Sequence, residues 1–315
     1  MKTEEEVLQF FNAELRDIIL PLEELRIKKV RKIKYLLLLA SISVILVVLG
    51  VCGQMSGLLI LGVLATMLGV GFAYETLEKM KIVLQRHFKS DVLPRLLEYL
   101  FHQFDYIPNQ RIAKSVLIES QLISDEITMV EGEDFMRFKH GETGIMFCET
   151  TVFRKDKSDG PIFQGVFLVA AFNKYFQHQT VVLPKSKVSL LNKIIDYESI
   201  AGFYKIKLED IDFKREFAVY STDQVEARYV LSTSLMIRIL TYKQKVNRKI
   251  SLSFVNNKMF CAIPNYVNLF EPAIFESFFE FKYFRKSYEA LKLYNEIVDD
   301  LNLNLRIWTK QKNNI

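Results

Sequence analysis

Two uncharged apolar runs stand close together near the start of the chain, and no other feature limits its fold as severely. Tyr35 to Cys52 reads YLLLLASISVILVVLGVC and Leu58 to Ala73 reads LLILGVLATMLGVGFA, separated only by Gly53-Gln54-Met55-Ser56-Gly57. Each run approaches the roughly 20 residues that cross a ~30 Å hydrocarbon core, and together they are far too long for one crossing. The glycine-rich break suits a tight turn between helices. The runs therefore predict a two-helix transmembrane hairpin, 35–52 and 58–73. A cleaved signal peptide does not fit, because the block starts well inside the chain and contains two runs in succession. A buried hairpin of a soluble protein is the opposing reading, and the double length and basic flanks weigh against it.

Charge gives the hairpin a direction. Arg26, Lys28, Lys29, Arg31, Lys32 and Lys34 precede the first run, Lys79, Lys81, Arg86 and Lys89 follow the second, and the intervening loop carries no charge. Positive residues stay on the cytoplasmic side, so both termini are expected inside. Lys28, Lys29, Arg31, Lys32, Lys34, Lys79 and Lys81 form the expected contact with an anionic membrane surface. These flanks largely account for the formal net charge of +5, so a lipid bilayer, and not nucleic acid, is the expected counter-charge. The aromatic and basic stretch Phe278 to Tyr288 reads as helix core with lysines outward, and it lacks a nucleic-acid motif. Cys52, Cys148 and Cys261 are too widely spaced, and odd in number, for a disulfide framework.

The remaining chain predicts an α+β fold. Residues 1–34 carry helical spacing (Val7, Phe10, Phe11, Leu15, Ile18, Ile19, Leu22, Leu25), with Thr3 and Glu6 as a capping box and Pro21 as an interruption. Residues 74–104 repeat the pattern with an interruption at Pro94. Residues 105–305 form the expected cytoplasmic domain, followed by a polar tail, 306–315. Within that domain Gly144–Lys155, Ile162–Asn173, Thr180–Leu183, Lys205–Leu208 and Glu216–Tyr220 read as strands, the first two joined by the turn-rich Asp156 to Pro161. Ser221 with Gln224 reads as a capping box opening a helix through Arg228. Ser232–Lys245 and Pro272–Leu301 read as helices. Lys249–Ile263 is the clearest hairpin, turning at Asn256-Asn257. The sheet is expected to be largely antiparallel.

Chemistry is harder to find. There is no P-loop, dinucleotide fingerprint, nucleophile elbow or H-E-x-x-H. His87, His102, His140 and His178 are scattered, and close-spaced ligand pairs are missing, so no metal and no cofactor is expected. Acidic clusters surround Gly132 (Glu131, Glu133, Asp134) and follow a strand (Glu209, Asp210, Asp212). Such clusters can pair an acid with a base, though they are more often solvated turns. The stretch Tyr220 to Tyr229, YSTDQVEARY, concentrates Asp223, Glu226 and Arg228 on one short helix. The candidate patch is accordingly Glu133, Asp134, Asp210, Asp223, Glu226 and Arg228, with no residue assigned a catalytic role.

Several segments resemble one known family: Gly132-Glu133-Asp134-Phe135, Phe163-Gln164-Gly165-Val166-Phe167, Phe172-Asn173-Lys174-Tyr175-Phe176, Leu208-Glu209-Asp210 with Phe213, Val219 to Leu231, Ala262-Ile263-Pro264 and Leu269-Phe270-Glu271-Pro272. Together they are similar to the bacterial domain-of-unknown-function family 3137, sometimes labelled galanin-like, over roughly residues 100 to 280. Ala171 departs from the acidic residue expected there. The resemblance implies a bacterial inner-membrane protein with a two-span anchor and a possible LemA-type membrane partner, and it supplies no catalytic residues. Two functions follow as expectations. One is a membrane-tethered interaction module; the other is a membrane-anchored enzyme using clustered carboxylates.

Overall fold

Thr3 caps the first helix as its sequence context anticipates. Its hydroxyl accepts from the Glu6 N–H, while the Glu6 carboxylate accepts from the Thr3 N–H at 2.7 Å. This helix, α1 (Glu4–Phe10), runs through one wider π turn, Phe11–Leu15, into α2 (Arg16–Cys52). Pro21 does not divide α2. The irregularity falls upstream in the π turn, where one extra residue per turn loosens the hydrogen-bond ladder ahead of the ring. α3 (Ser56–His87) returns antiparallel, and a second π turn, Phe88–Val92, leads into α4 (Leu93–Leu100). Pro94 thus follows the π turn within one continuous helix, Ser56–Leu100, where the wider turn loosens the hydrogen-bond ladder beside the ring.

The computed structural model describes residues 1–123, 127–154, 160–171, 175–185, 197, 200, 202–265, 268–272 and 274–301. The expected turn at 156–161, the fragment 172–174 and the tail after Leu305 fall wholly or partly outside these. Two compact units emerge. The first comprises Met1–Leu100 with Phe270–Ser287, and the second comprises Phe101–Leu269 with the chain from Tyr288 on.

In the first unit, α2 and α3 are long and apolar enough to cross a membrane, judged by length and composition. Their register is constant. A Cβ on Gly69 would lie 3.0 Å from the Ala40 Cβ, Ser43 Oγ meets Thr66 Oγ1 at 2.6 Å, a Cβ on Gly62 would lie 2.8 Å from the Val47 nitrogen, and Gly50 lies against Leu59. Small residues here let the backbones approach closely. Further along the same helices the packing becomes that of a water-soluble core. Phe10 stacks on Tyr99 with centroids 4.1 Å apart, and Phe11 meets Phe281 and Phe284. Glu23, nearly fully buried, accepts from Arg26 (2.7 and 2.8 Å), from the Ser277 hydroxyl (2.8 Å) and from the Phe278 N–H (3.0 Å). A buried charge tolerates this position because it is paired and fully hydrogen-bonded.

The second unit is built on a nine-stranded sheet in the order β1-β2-β3-β4-β9-β8-β5-β7-β6, with every neighbouring pair antiparallel. The strands are β1 (Phe104–Ile107), β2 (Met129–His140), β3 (Thr143–Phe153), β4 (Phe163–Ala171), β5 (Thr180–Pro184), β6 (Tyr204–Lys205), β7 (Phe217–Ser221), β8 (Ser251–Val255) and β9 (Lys258–Pro264). Helices α5 (Lys114–Glu119), α6 (Ile211–Glu216), α7 (Gln224–Val230), α8 (Thr233–Val246), α9 (Phe281–Asn295, whose first half belongs to the first unit) and α10 (Ile297–Asp300) complete the described chain. The fold class is therefore α+β, as expected. The β8–β9 hairpin turns at Asn256-Asn257, with Asn256 at φ +56°. The core gathers Phe135, Cys148, Phe163, Phe167, Phe260 and Ala262 from the sheet against Ile112, Leu117 and Leu122.

Several local expectations need correction. The helix expected over Pro272–Leu301 begins at Phe281, and the strand expected over Lys205–Leu208 is the two-residue β6. The helix expected to reach Phe104 stops at Leu100, and Phe104 opens β1. β2 matches no expected strand, and the acidic residues around Gly132 lie within it. Ser221 ends β7 and does not cap α7. The cap is Asp223, whose carboxylate accepts from the Glu226 N–H at 2.6 Å, so Asp223 precedes the first turn and is not part of it. An ionised oxygen is the stronger acceptor for an orphan N–H beside the positive end of the helix dipole.

Candidate functional site

A β-bulge creates the densest group of carboxylates in the described structure. Along β2 and β3, Glu131 faces Thr151, Gly132 faces Thr150 and Glu133 faces Glu149, after which the register slips between Glu133 and Met136. Cross-strand partners share a face, so Glu133 and Glu149 project to the same side. The slip turns Asp134 toward them. Asp134 sits at φ +56°, is completely buried, and donates its N–H to the Pro108 carbonyl at 2.8 Å. Bulges commonly re-aim one side chain in this way.

One oxygen each from Glu133, Asp134 and Glu149 lies within 4.8 Å of the others, a spacing that three ligands of one cation share. Oxygen-only donors suit a hard ion such as Ca²⁺ or Mn²⁺. Like charges this close repel, and nearby donors offset part of the repulsion. Tyr106 donates its hydroxyl to Asp134 Oδ1 at 2.6 Å, and Leu269 donates its N–H to Glu149 Oε1 at 2.9 Å. Burial, reinforced by the Asp134 charge, raises the Tyr106 phenol well above its ordinary range. It therefore remains a donor at neutral pH.

The adjoining cavity, about 280 Å³, is lined by Glu131, Glu133 and Glu149, by Thr150, Thr151 and Gln164, and by Asn265 and Asn268 beyond β9. Two glycines shape it. A Cβ on Gly132 would lie 2.8 Å from the Glu149 carbonyl, and one on Gly165 would collide with the Ile263 carbonyl, so both keep backbones in close approach. Cys148 points away, with Sγ 3.4 Å from the Glu133 carbonyl oxygen. Burial pushes its thiol up to about 11, which keeps it protonated and unreactive at neutral pH.

The other candidates are dispersed through the second unit. Asp210 caps α6, accepting from the Phe213 N–H at 2.7 Å. Glu226 accepts from the Gln177 and His178 N–H groups at 3.1 and 2.6 Å, pinning that loop onto α7. Arg228 donates to the Lys207 carbonyl at 3.5 Å. His140 and Cys148 take different partners, His140 contacting Asp299 (2.8 Å) and Asn295 (2.9 Å). Of the six patch residues, the structure brings Glu133 and Asp134 together, adds Glu149 and Glu131, and places the remaining four in capping and loop-holding contacts. Glu149 lay in a recognised strand, but only the pairing with β2 reveals it. The basic residues Lys28, Arg31, Lys32, Lys34 and Lys79 are exposed on the hairpin and Lys29 and Lys81 half-exposed, with Lys79 bonded to Glu75.

These features define a class: an α+β protein with a long apolar helical hairpin and an antiparallel sheet holding a carboxylate-lined cavity. Residues 161–303 match the sequence model of the family described as Protein of unknown function (DUF3137), the family its segments resemble. The match begins after β3, so Glu133, Asp134 and Glu149 fall outside it. No curated protein matches the chain. Among solved structures, the crystal structure of the mycobacterial trehalose monomycolate transport factor A, TtfA, is similar at 12% identity, covering 63% of this chain and 89% of that one with a TM-score of 0.35. A likeness that distant carries no argument about function.

Proposed function

We propose that this is a bacterial inner-membrane protein crossing the bilayer twice through α2 and α3, with both termini cytoplasmic. Its α+β unit is read as a membrane-tethered interaction module, and the family resemblance points to a LemA-type membrane protein as the partner. One observation carries the reading: the outward surface of the hairpin. Leu38, Ile42, Ile45, Val48, Leu61, Leu64 and Leu68 are all exposed, an apolar band that water does not tolerate at this size. The band also has a level edge. Continued outward, the register sets Tyr35 opposite Tyr74, exposed by 60% and 65%, immediately before the charges of Lys34 and Glu75. Paired tyrosines beside a basic collar suit a membrane interface. From Tyr35 to Cys52 the helix rises about 26 Å, close to a hydrocarbon core.

Cysteine labelling tests the topology. In a Cys52→Ser background, Ser56→Cys should react with an impermeant thiol reagent added outside intact cells, and Glu5→Cys only after permeabilisation. Outside labelling of Glu5→Cys would overturn the orientation. Affinity capture from native membranes that repeatedly returned no partner, with no lipid binding by the protein, would sink the module reading.

The cavity favours a second reading, a membrane-anchored enzyme whose carboxylates act on a cationic or hydroxylated substrate. Three carboxylate oxygens within 4.8 Å of one another beside a polar cavity are its specific support. Under this reading Glu133→Gln and Glu149→Gln abolish an activity found by substrate screening while leaving the membrane association intact. Unaltered turnover in the double variant would remove it.

A further inference from the structure

A second cavity, about 410 Å³, opens beside the start of β2 and carries the opposite charge. It is lined by Arg111 to Lys114 on one side and Thr128 to Val130 on the other. Its size lies within the range of small-ligand sites. Arg111 donates from Nη1 to the Val130 carbonyl at 2.9 Å, and Lys114 donates from Nζ to the Ile127 carbonyl at 2.6 Å. Each bond fixes a cation at the rim while using one N–H of five in the guanidinium and one of three in the ammonium. Among the described residues, the bonds that Arg111 and Lys114 make from their charged groups go to main-chain carbonyls. The segment is held from behind, because Ile112 and Leu117 are buried in the core. Gly132 contributes too: a Cβ there would lie 3.2 Å from the Arg111 Cβ and 3.3 Å from its Cα, so the bare backbone lets the arginine lie against the strand.

Two exposed cations lining one cavity, each with N–H groups left over from its main-chain bond, match an oxyanion. A guanidinium can grip two oxygens at once while an ammonium supplies a point charge. We propose that the Arg111–Lys114 cavity binds a small ligand bearing a phosphate or carboxylate group, either free or as a lipid headgroup. The site shares no lining residue with the carboxylate cavity, which adjoins it through Gly132, and it is independent of the membrane reading.

The test uses the full chain in nanodiscs of neutral phosphatidylcholine, titrated calorimetrically with inorganic phosphate and, separately, acetate at low ionic strength. The expected result is saturable binding of at least one anion, weakened about tenfold or more in Arg111→Ala/Lys114→Ala. Binding should be retained in Lys28→Ala/Lys29→Ala, which alters only the hairpin, and in the charge-preserving Arg111→Lys/Lys114→Arg. Circular dichroism checks the fold of each variant, and Arg111→Gln or Lys114→Gln replaces the double variant if that one fails to fold. Repeating the titration in phosphatidylglycerol discs separates the sources: phosphate binding that persists marks a free ligand, and binding lost to competition marks a headgroup, both supporting the site. No saturable binding of either anion, or equal binding by the alanine variant, overturns it.

Discussion

Asp134 is buried, sits at a positive φ and accepts the Tyr106 hydroxyl, so three requirements meet in one side chain. Asparagine satisfies all three and, being neutral, lifts part of the repulsion with Glu133 and Glu149; alanine lacks the acceptor and fits the left-handed region poorly. Asp134→Ala should therefore lower stability by about 2–4 kcal/mol and Asp134→Asn by far less, read from chemical denaturation. Tyr106 adds a pH dependence. Its native phenol holds its proton above the ordinary value of 10.0, so above that pH the unfolded chain binds fewer protons than the folded one. Stability contributed by this phenol is complete below pH 10 and declines as pH rises beyond it. Tyr197, Tyr242 and Tyr294 are raised by burial in the same sense. Tyr106→Phe should reduce the alkaline slope by up to about 1.4 kcal/mol per pH unit without removing it. Glu133 and Asp134 stand out in the sequence because acids beside a glycine are conspicuous. Their partner Glu149 does not, because a cross-strand pair is set by register and is silent in local composition.

Among elements, legibility follows regularity. The α2–α3 hairpin is plain from uncharged runs, and the β8–β9 hairpin from alternation around Asn256-Asn257. β2 hides because its bulge shifts the inward residues at Asp134, so no single alternation runs from Met129 to His140. β1 hides because four residues directly after an amphipathic helix extend the apolar pattern of that helix. Inside the hairpin, the Ser43–Thr66 hydrogen bond lies about 12 Å from the Tyr35 level, near the middle of the apolar band. Each hydroxyl carries one proton and also has a carbonyl of its own helix in reach, Ala40 for Ser43 and Gly62 for Thr66. One hydroxyl therefore donates across the hairpin while the other donates within its helix, and neither depends wholly on the other. Ser43→Ala should consequently cost only about 0.6 kcal/mol, typical of such bonds in lipid. Gly62→Val should cost more, because its Cβ would lie 2.8 Å from the Val47 backbone nitrogen and force the helices apart. Thermal denaturation in detergent should rank wild type above Ser43→Ala and Ser43→Ala above Gly62→Val. A Gly62→Val protein as stable as wild type would mean that the close approach is dispensable.

For the whole molecule, the register predicts that the membrane-directed part can be cut out cleanly. Lys34 and Glu75 stand opposite each other where the apolar band begins, and packed helices lie 8–10 Å apart. A loop of two to five residues spans such a gap between antiparallel helices. Replacing Tyr35–Tyr74 with a short Gly/Asn-containing loop therefore leaves the lower parts of α2 and α3 joined in their native register. The contacts of Glu23 with Arg26, Ser277 and Phe278, and of Phe11 with Phe281 and Phe284, lie outside the excised residues and should survive. The shortened protein should partition into the soluble fraction after a salt wash, with the strand and helix signals of the intact protein in circular dichroism. The salt wash matters because Lys28, Lys29, Arg31 and Lys32 remain and attract anionic lipid, worth about 1 kcal/mol each near the surface and screened by salt. Persistence in the membrane after the wash would show that another surface, or a partner, holds the protein there, and the hairpin would no longer explain its attachment.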